Sequence, residues 1–141
     1  MDGLVGSSLA ARRRLAAHRR RVAAYGPAVR DAQAAAEELA AEGVDVEVID
    51  LRTLVPLDVS TILESVGRTK RLVVSHVSTG FCGPGAEIAS AVQSELFGEL
   101  QAPVQRVAAA FTPVPFARSL ELAALPTAEK ISSAIRSTIK T

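Results

Sequence analysis

The sequence is poor in aromatic residues and in cysteine and histidine, the usual ligands of zinc. It has no tryptophan, one tyrosine, four phenylalanines, one cysteine and two histidines among 141 residues. Small aliphatic side chains must therefore fill the core of what its length predicts to be one domain. Cys82 cannot form an internal disulfide, and so few His and Cys residues exclude an ordinary zinc site. No apolar run approaches the roughly 18 residues of a membrane span, so no membrane association is expected.

Charge is unevenly distributed along the chain, although the net charge is only +1. Residues 1–22 contain six arginines and one acidic residue, whereas the remainder contains ten basic and fourteen acidic residues. We interpret residues 1–21 as a basic arm, poorly ordered or helical, and residues 22–141 as the folded domain. The arm is typical of a transit peptide, of a nucleic-acid-binding arm or of an extension without a selected role. The last interpretation is favoured, so nucleic acid is not an expected partner.

Residues 44–58 contain the clearest secondary-structure signals. Valines alternate with acidic residues and an apolar run through Leu51 follows, which predicts a strand whose end is buried on both faces. Asp58 is predicted to cap a helix that ends in a left-handed turn at Gly67. The preceding helix is predicted to end at Gly43. Helix, strand, loop and helix together indicate one unit of an open parallel α/β sheet.

The remaining elements follow from periodicity and turn signals. Helices are predicted at 27–42, 87–97, 119–124 and from Pro126 onward, and strands at 22–25, 70–77 and 104–109. The buried positions are expected to be Val29, Ala32, Ala36, Leu39 and Ala40 in the first helix, and Ile131, Ala134, Ile135 and Ile139 in the last. Arg19–Arg21 are left out of the first strand, because burying unpaired charge costs too much free energy.

The glycine-rich loop 78–85 is the main candidate site. It lies between the carboxyl end of a strand and the start of a helix, where open α/β sheets bind ligands. Gly80, Gly83 and Gly85 allow backbone N–H groups to approach an anion, but a tight turn that only feeds the next helix is favoured. His76 is a candidate general base without an evident acid or nucleophile, so a structural or interface role is favoured. No catalytic residue, cofactor-binding residue or metal ligand is assigned.

Several segments resemble one family in order along the chain. They are EELAAEGVDVEVIDLRTLVPLD at 37–58, RLVVSH at 71–76, GAEIA at 85–89, APVQRV at 102–107, PVPFA at 113–117 and LELAALP at 120–126. They resemble the C-terminal domain of the β subunit of 2-oxoacid dehydrogenase E1 components, of the branched-chain or pyruvate type. The resemblance runs from about Ala24 to the C-terminus. It implies a transketolase C-terminal-like fold, with three αβα layers around a mostly parallel sheet of about five strands and one antiparallel edge.

The resemblance implies thiamine-diphosphate-dependent oxidative decarboxylation of a 2-oxoacid, with acyl transfer to the lipoyl arm of E2. The E1 α subunit and the N-terminal half of β hold the cofactor and Mg²⁺ in this family, so none is expected on this chain alone. The expected partners are the E1 α subunit, a second β subunit and the E2 subunit-binding domain. Arg118, Glu121 and the Thr141 carboxylate are candidate E2 contacts, although ordinary surface charges are nearly as well supported. The expected location is the bacterial cytoplasm, or the mitochondrial matrix in a eukaryote.

The sequence also departs from the family. The N-terminal half of β is missing, which suggests a truncated or frame-shifted reading frame. Val77 and Phe111 replace the glutamate and the aspartate usual at these positions. The isolated chain is expected to be inactive and to self-associate, since lost partners expose apolar surface. A stand-alone interaction domain, or the equivalent domain of another transketolase-like thiamine enzyme, remains an alternative.

Overall fold

A computed structural model describes residues 19–139 of the chain. Strands and helices alternate along them in this order: β1 (Arg19–Ala24), α1 (Ala28–Ala41), β2 (Asp45–Asp50), α2 (Val59–Gly67), β3 (Leu72–Thr79), α3 (Pro84–Glu95), β4 (Gln105–Ala109), α4 (Arg118–Ala124) and α5 (Ala128–Ile139). Each strand is followed by a helix, the order that builds a parallel sheet. None of the helices in this part of the chain is long and apolar enough to cross a membrane.

The sheet has the order β2-β1-β3-β4, and all three strand pairs are parallel. Val22 of β1 lies opposite Val48 on one side and Val73 on the other, so β1 is an interior strand. The predicted parallel α/β fold is confirmed. The predicted sheet of about five strands with one antiparallel edge differs from the structure, because residues 19–139 contain four strands, all parallel. Pro113 and Pro115 have no backbone N–H. The segment after β4 therefore lacks two of the donors that it would need to pair with β4 as a further strand.

Two apolar clusters lie on opposite faces of the sheet, which gives the predicted three layers. Helices α1 and α5 cover one face, where Leu39, Ile131 and Ile135 are buried against Val22 and Val73. Helices α2 and α3 cover the other face, and its buried residues are Ala23, Ile49, Leu51, Ile62, Val66, Leu72, Val74, Ile88 and Val92. Aliphatic side chains and alanines fill both clusters, as the scarcity of aromatic residues requires.

The arginines before Val22 belong to the sheet, contrary to the prediction. Arg19–Arg21 form the first half of β1, so the boundary of the folded domain lies at or before Arg19. Arg21 is 2% exposed, and its Nη1 lies 3.1 Å from Oε2 of Glu47, its partner in register on β2. Its Nε also donates to the Ser65 carbonyl at 3.1 Å. The charge that was expected to be unpaired is therefore paired and hydrogen-bonded. The rest of the predicted arm, residues 1–18, lies outside the described residues.

Two of the three predictions for helix ends are confirmed. Asp58 caps α2, since its carboxylate accepts from the Thr61 N–H at 3.0 Å, and Gly43 has a φ of 79° just after α1. The prediction for Gly67 is wrong, because this glycine is the last residue of α2 and has no positive φ. The left-handed residue is Lys70, with a φ of 58°, and its N–H donates to the Val66 carbonyl at 2.7 Å.

The buried faces of the outer helices differ slightly from the prediction. Helix α1 buries Ala28, Ala32, Ala35 and Leu39, and helix α5 buries Ile131, Ser132, Ile135 and Thr138. The two buried hydroxyls of α5 have hydrogen-bond partners: Ser132 donates to Glu38 at 3.0 Å and Thr138 to the Ile135 carbonyl at 2.7 Å. These bonds remove most of the cost of burying the two polar groups. Ala40 and Ile139, both predicted to be buried, are exposed.

Candidate functional site

The glycine-rich loop connects β3 to α3 at the carboxyl edge of the sheet. His76, near the end of β3, is fully buried beneath this loop. Gly83 is the N-cap residue of α3, and Pro84 and Gly85 form its first two positions. The structure thus brings together the histidine and the glycines that the sequence singled out, with Gly80 at the start of the loop.

Both ring nitrogens of His76 have hydrogen-bond partners within the chain. The Gly85 N–H donates to Nε2 at 3.1 Å. On the other side, Nδ1 lies 3.0 Å from the carbonyl oxygen of Ser78 and 2.8 Å from its Oγ. Since Nε2 must accept, the proton of the neutral ring is on Nδ1, which donates to these oxygens. Tyr25 stacks on the ring with centroids 5.6 Å apart, and its hydroxyl is 2.7 Å from Ser78 Oγ.

The surroundings of His76 keep its imidazole neutral. Burial lowers the pKa of His76 because it disfavours the charged ring, and the positive charge of Arg106 lowers it further. The hydrogen bond to the Ser78 backbone acts in the opposite direction but does not outweigh burial. A general base must come within hydrogen-bond distance of its substrate. A ring with no exposed surface and two occupied nitrogens instead supports a structural role.

The three glycines of the candidate loop have different surroundings. A Cβ added at Gly85 would lie 2.3 Å from His76 Nε2, and one at Gly83 would lie 2.0 Å from the Thr79 carbonyl oxygen. At Gly80 the nearest atom would be the Ala108 Cβ at 3.6 Å, which is ordinary contact. Two of the glycines are therefore required by close packing, and the Gly85 amide already donates to His76. This geometry supports the tight-turn interpretation of the loop over anion binding.

An exposed apolar segment follows β4, and sequence reasoning did not identify it. In residues 111–122, here called the apolar segment, Phe111 is 75% and Phe116 fully exposed, and Val114, Leu120 and Leu122 are also exposed. Phe81 from the glycine loop packs edge-on against Phe111, with ring centroids 5.1 Å apart. Large exposed apolar patches mark interaction surfaces more often than monomer surface.

Two of the three predicted E2-docking residues, Arg118 and Glu121, lie in the apolar segment. Arg118 is the first residue of α4 and Glu121 lies in its first turn, and this helix has no buried residue. Thr141 lies outside the described residues. An open depression of about 660 Å³ adjoins the helix, where Lys130 donates to the carbonyls of Ala123 and Leu125 at 2.8 and 2.7 Å. Across residues 19–139, no group of three His, Cys, Asp or Glu residues is placed to hold a metal ion.

Curated proteins similar in sequence are subunits of larger enzymes. The chain is 43% identical over 119 residues to the acetoin:2,6-dichlorophenolindophenol oxidoreductase subunit beta of Cupriavidus necator. It is 45% identical over 115 residues to the 2-oxoisovalerate dehydrogenase subunit beta of Pseudomonas aeruginosa and 46% over 102 residues to a Rickettsia felis pyruvate dehydrogenase E1 component subunit beta. These matches cover 84%, 82% and 72% of the chain, but only 35%, 31% and 31% of the relatives. The chain thus spans about a third of their length.

The solved structures contain the same fold. A split-gene transketolase described as an inactive β4 tetramer matches with a TM-score of 0.73 and 26% identity, over 87% of this chain and 39% of the other. The sequence model of the family described as "Transketolase, C-terminal domain" matches residues 11–131, so the similarity begins before Ala24, within the predicted arm. The chain belongs to the transketolase C-terminal domain family.

Proposed function

We propose that this chain is the C-terminal portion of the β subunit of a thiamine-diphosphate-dependent 2-oxoacid dehydrogenase E1, and that it serves assembly and E2 docking. The observation that carries the proposal is the exposed apolar segment on a domain whose relatives are named as E1 β subunits. The complete enzyme decarboxylates a branched-chain 2-oxoacid or pyruvate and transfers the acyl group to lipoyl-E2. The isolated chain is inactive in this proposal.

The described residues do not fit thiamine diphosphate and Mg²⁺. Gly85, at the N-terminus of α3, donates its amide to His76 and has no space for a Cβ, so this turn offers no cradle for a diphosphate. Mg²⁺ prefers several oxygen ligands, and residues 19–139 contain no acidic cluster that could supply them. In the proposed enzyme the E1 α subunit and the N-terminal half of β hold the cofactor, as the family resemblance implies, and we derive no step through it.

A second candidate is the equivalent domain of another thiamine enzyme. The 43% identity to the β subunit of an acetoin oxidoreductase favours it, because that protein is named for a substrate that is not a 2-oxoacid. In either case the proposed partners are the α subunit and a second β subunit, with the E2 subunit-binding domain in the dehydrogenase complexes. Bacterial relatives and a mitochondrial one from Caenorhabditis elegans support a bacterial cytoplasmic or mitochondrial matrix location.

We assign the E2 contact to the face of α4 that bears Arg118 and Glu121, with Thr141 beyond the described residues. This helix buries none of its own residues, so its surface is open to a partner. Glu121 offers a carboxylate to a basic docking domain. Leu120 and Leu122, which flank it, are exposed apolar side chains that such a contact would cover.

Without its partners, the chain is expected to self-associate through the apolar segment. The double variant Phe111→Ser/Phe116→Ser should weaken this association about tenfold or more, because each buried phenylalanine contributes about 1.5–3 kcal/mol. Sedimentation velocity over a concentration series measures it. The control is Phe97→Ser, an exposed phenylalanine after α3 that is not part of the apolar segment. A monomeric wild-type chain, or equal effects of both variants, would contradict the assembly surface.

A further inference from the structure

We propose that His76 is a proton-sensitive latch, which holds the loop 80–83 and the first turn of α3 against β3 at neutral pH and releases them on acidification. The latch consists of the His76 ring, the Gly85 amide that donates to it, and the Ser78 and Tyr25 groups on its other side. It is independent of the proposed enzyme function, because it depends only on contacts within this chain.

The latch works only with a neutral ring. The hydrogen bond from the Gly85 N–H at 3.1 Å requires a lone pair on Nε2. The other nitrogen already carries the proton and donates to Ser78, so an incoming proton can bind only at Nε2. Protonation then places two N–H donors against each other. Gly85 is buried, so water does not replace the lost acceptor unless the turn moves away.

The ring has little room to relieve this conflict by moving. Tyr25 stacks on one face with an interplanar angle of 14°. Gly85 approaches so closely that even a Cβ would lie 2.3 Å from Nε2 and 2.7 Å from Cδ2. Gly83, the N-cap residue of α3, would place a Cβ 3.0 Å from Cε1 of the same ring. The backbone of the loop 80–83 and of the first turn of α3 must therefore move when Nε2 is protonated.

Apart from the Ser78 carbonyl, which favours the imidazolium, the groups around the ring do not stabilise its charged form. From β4, Arg106 acts on His76 with its positive charge, and its Nη1 donates to the Gly80 carbonyl at 2.9 Å. From the end of β1, the neutral hydroxyl of Tyr25 reaches Ser78. From α3, the ring meets the backbone N–H groups of the first turn, the positive end of a helix dipole. None of the hydrogen-bond partners described for this ring is a carboxylate.

The pH dependence follows from the sign of the shift. The folded chain lowers the pKa of His76 below the ordinary value of 6.5. The unfolded or released state therefore binds more protons than the latched state between these two pKa values. The contribution of the latch is complete above about pH 6.5 and is lost as pH falls through the lower pKa of the folded chain. Release frees Phe81, which the loop otherwise holds against Phe111.

The single cysteine gives a direct probe of the latch. Cys82 is exposed and lies inside the loop, so a spin label attached to it reports loop mobility as pH falls. We expect a one-proton increase in label mobility with a midpoint below 6.5, while far-UV circular dichroism keeps its native signal. Arg106→Gln should raise the midpoint, because a positive charge that disfavours the imidazolium is removed. A label at Ser94→Cys in a Cys82→Ser background should show no such step.

The proposal is overturned by loop mobility that stays constant until global unfolding, or by an Arg106→Gln midpoint equal to that of the wild type. His76→Gln should abolish the step, and a step that persists in it would equally contradict the latch. Should that variant not fold, the NMR titration of the His76 imidazole in the wild-type chain and in Arg106→Gln gives the same decision. A His76 midpoint at or above 6.5 would contradict the proposal.

Discussion

Replacing Glu47 by alanine is expected to lower the free energy of unfolding by about 3–5 kcal/mol. The substitution leaves the Arg21 guanidinium in the sheet interior, 2% exposed, without the carboxylate that lies 3.1 Å away in the wild-type chain. It also removes the acceptor of the Ser65 hydroxyl, which donates to Glu47 at 3.3 Å. Urea-induced unfolding followed by circular dichroism measures the change. The urea concentration at the midpoint and the dependence of the free energy on urea concentration are reported separately.

Two further variants separate burial from charge pairing. Glu64→Ala removes the exposed ion pair with Arg68 and should cost about 0–1 kcal/mol. Replacing both buried partners, as Arg21→Met/Glu47→Leu, should restore most of the lost stability, because the buried guanidinium and the buried carboxylate are removed together. An equal loss of unfolding free energy in Glu47→Ala and Glu64→Ala would show that Arg21 is not shielded from water.

Gly83→Ala is the second substitution with a large expected effect, about 1–3 kcal/mol of lost stability. Its new Cβ would lie 2.0 Å from the Thr79 carbonyl oxygen, a backbone atom that cannot rotate away. Thermal unfolding compared with Gly80→Ala measures the effect. The control position has its nearest atom at 3.6 Å and should change stability by no more than about 0.5 kcal/mol. Equal melting temperatures of the two variants would contradict the packing derived for the loop.

The strands and helices could be predicted because their signals are local. The alternating valines of β2 and the Asp58 cap of α2 are visible within a few residues, and both are present in the structure. The Arg21–Glu47 pair could not be predicted in this way. It depends on the register between β1 and β2, which are separated by helix α1, so the sequence shows two charges but not that they lie opposite each other.

The candidate site was predicted in position but not in its contacts. The sequence placed His76 beside the glycine loop, and the structure confirms that they are adjacent. The protonation state of the ring depends on Gly85, nine residues away, and on Tyr25, which bonds to Ser78 across 53 residues. These approaches arise from tertiary packing. For the same reason the sequence treated Gly80, Gly83 and Gly85 alike, whereas only the last two have no space for a side chain.

The exposure of the apolar segment could not be read from residue types, because similar apolar runs in β3 are fully buried. What distinguishes the segment is its place after the edge strand β4, where no further strand or helix among residues 19–139 covers it. In the proposed function, this surface is the part of the domain that other subunits and E2 would cover.

The docking role is tested most directly by calorimetric titration of the chain with the subunit-binding domain of a bacterial 2-oxoacid dehydrogenase E2 at low salt. We expect saturable binding that weakens as salt is raised, since the proposed contact pairs the Glu121 carboxylate with a basic domain. Glu121→Lys should weaken it about tenfold or more, whereas Glu95→Lys, at the exposed end of α3, should leave it unchanged. No binding at low salt, or equal loss in both variants, would contradict docking through α4.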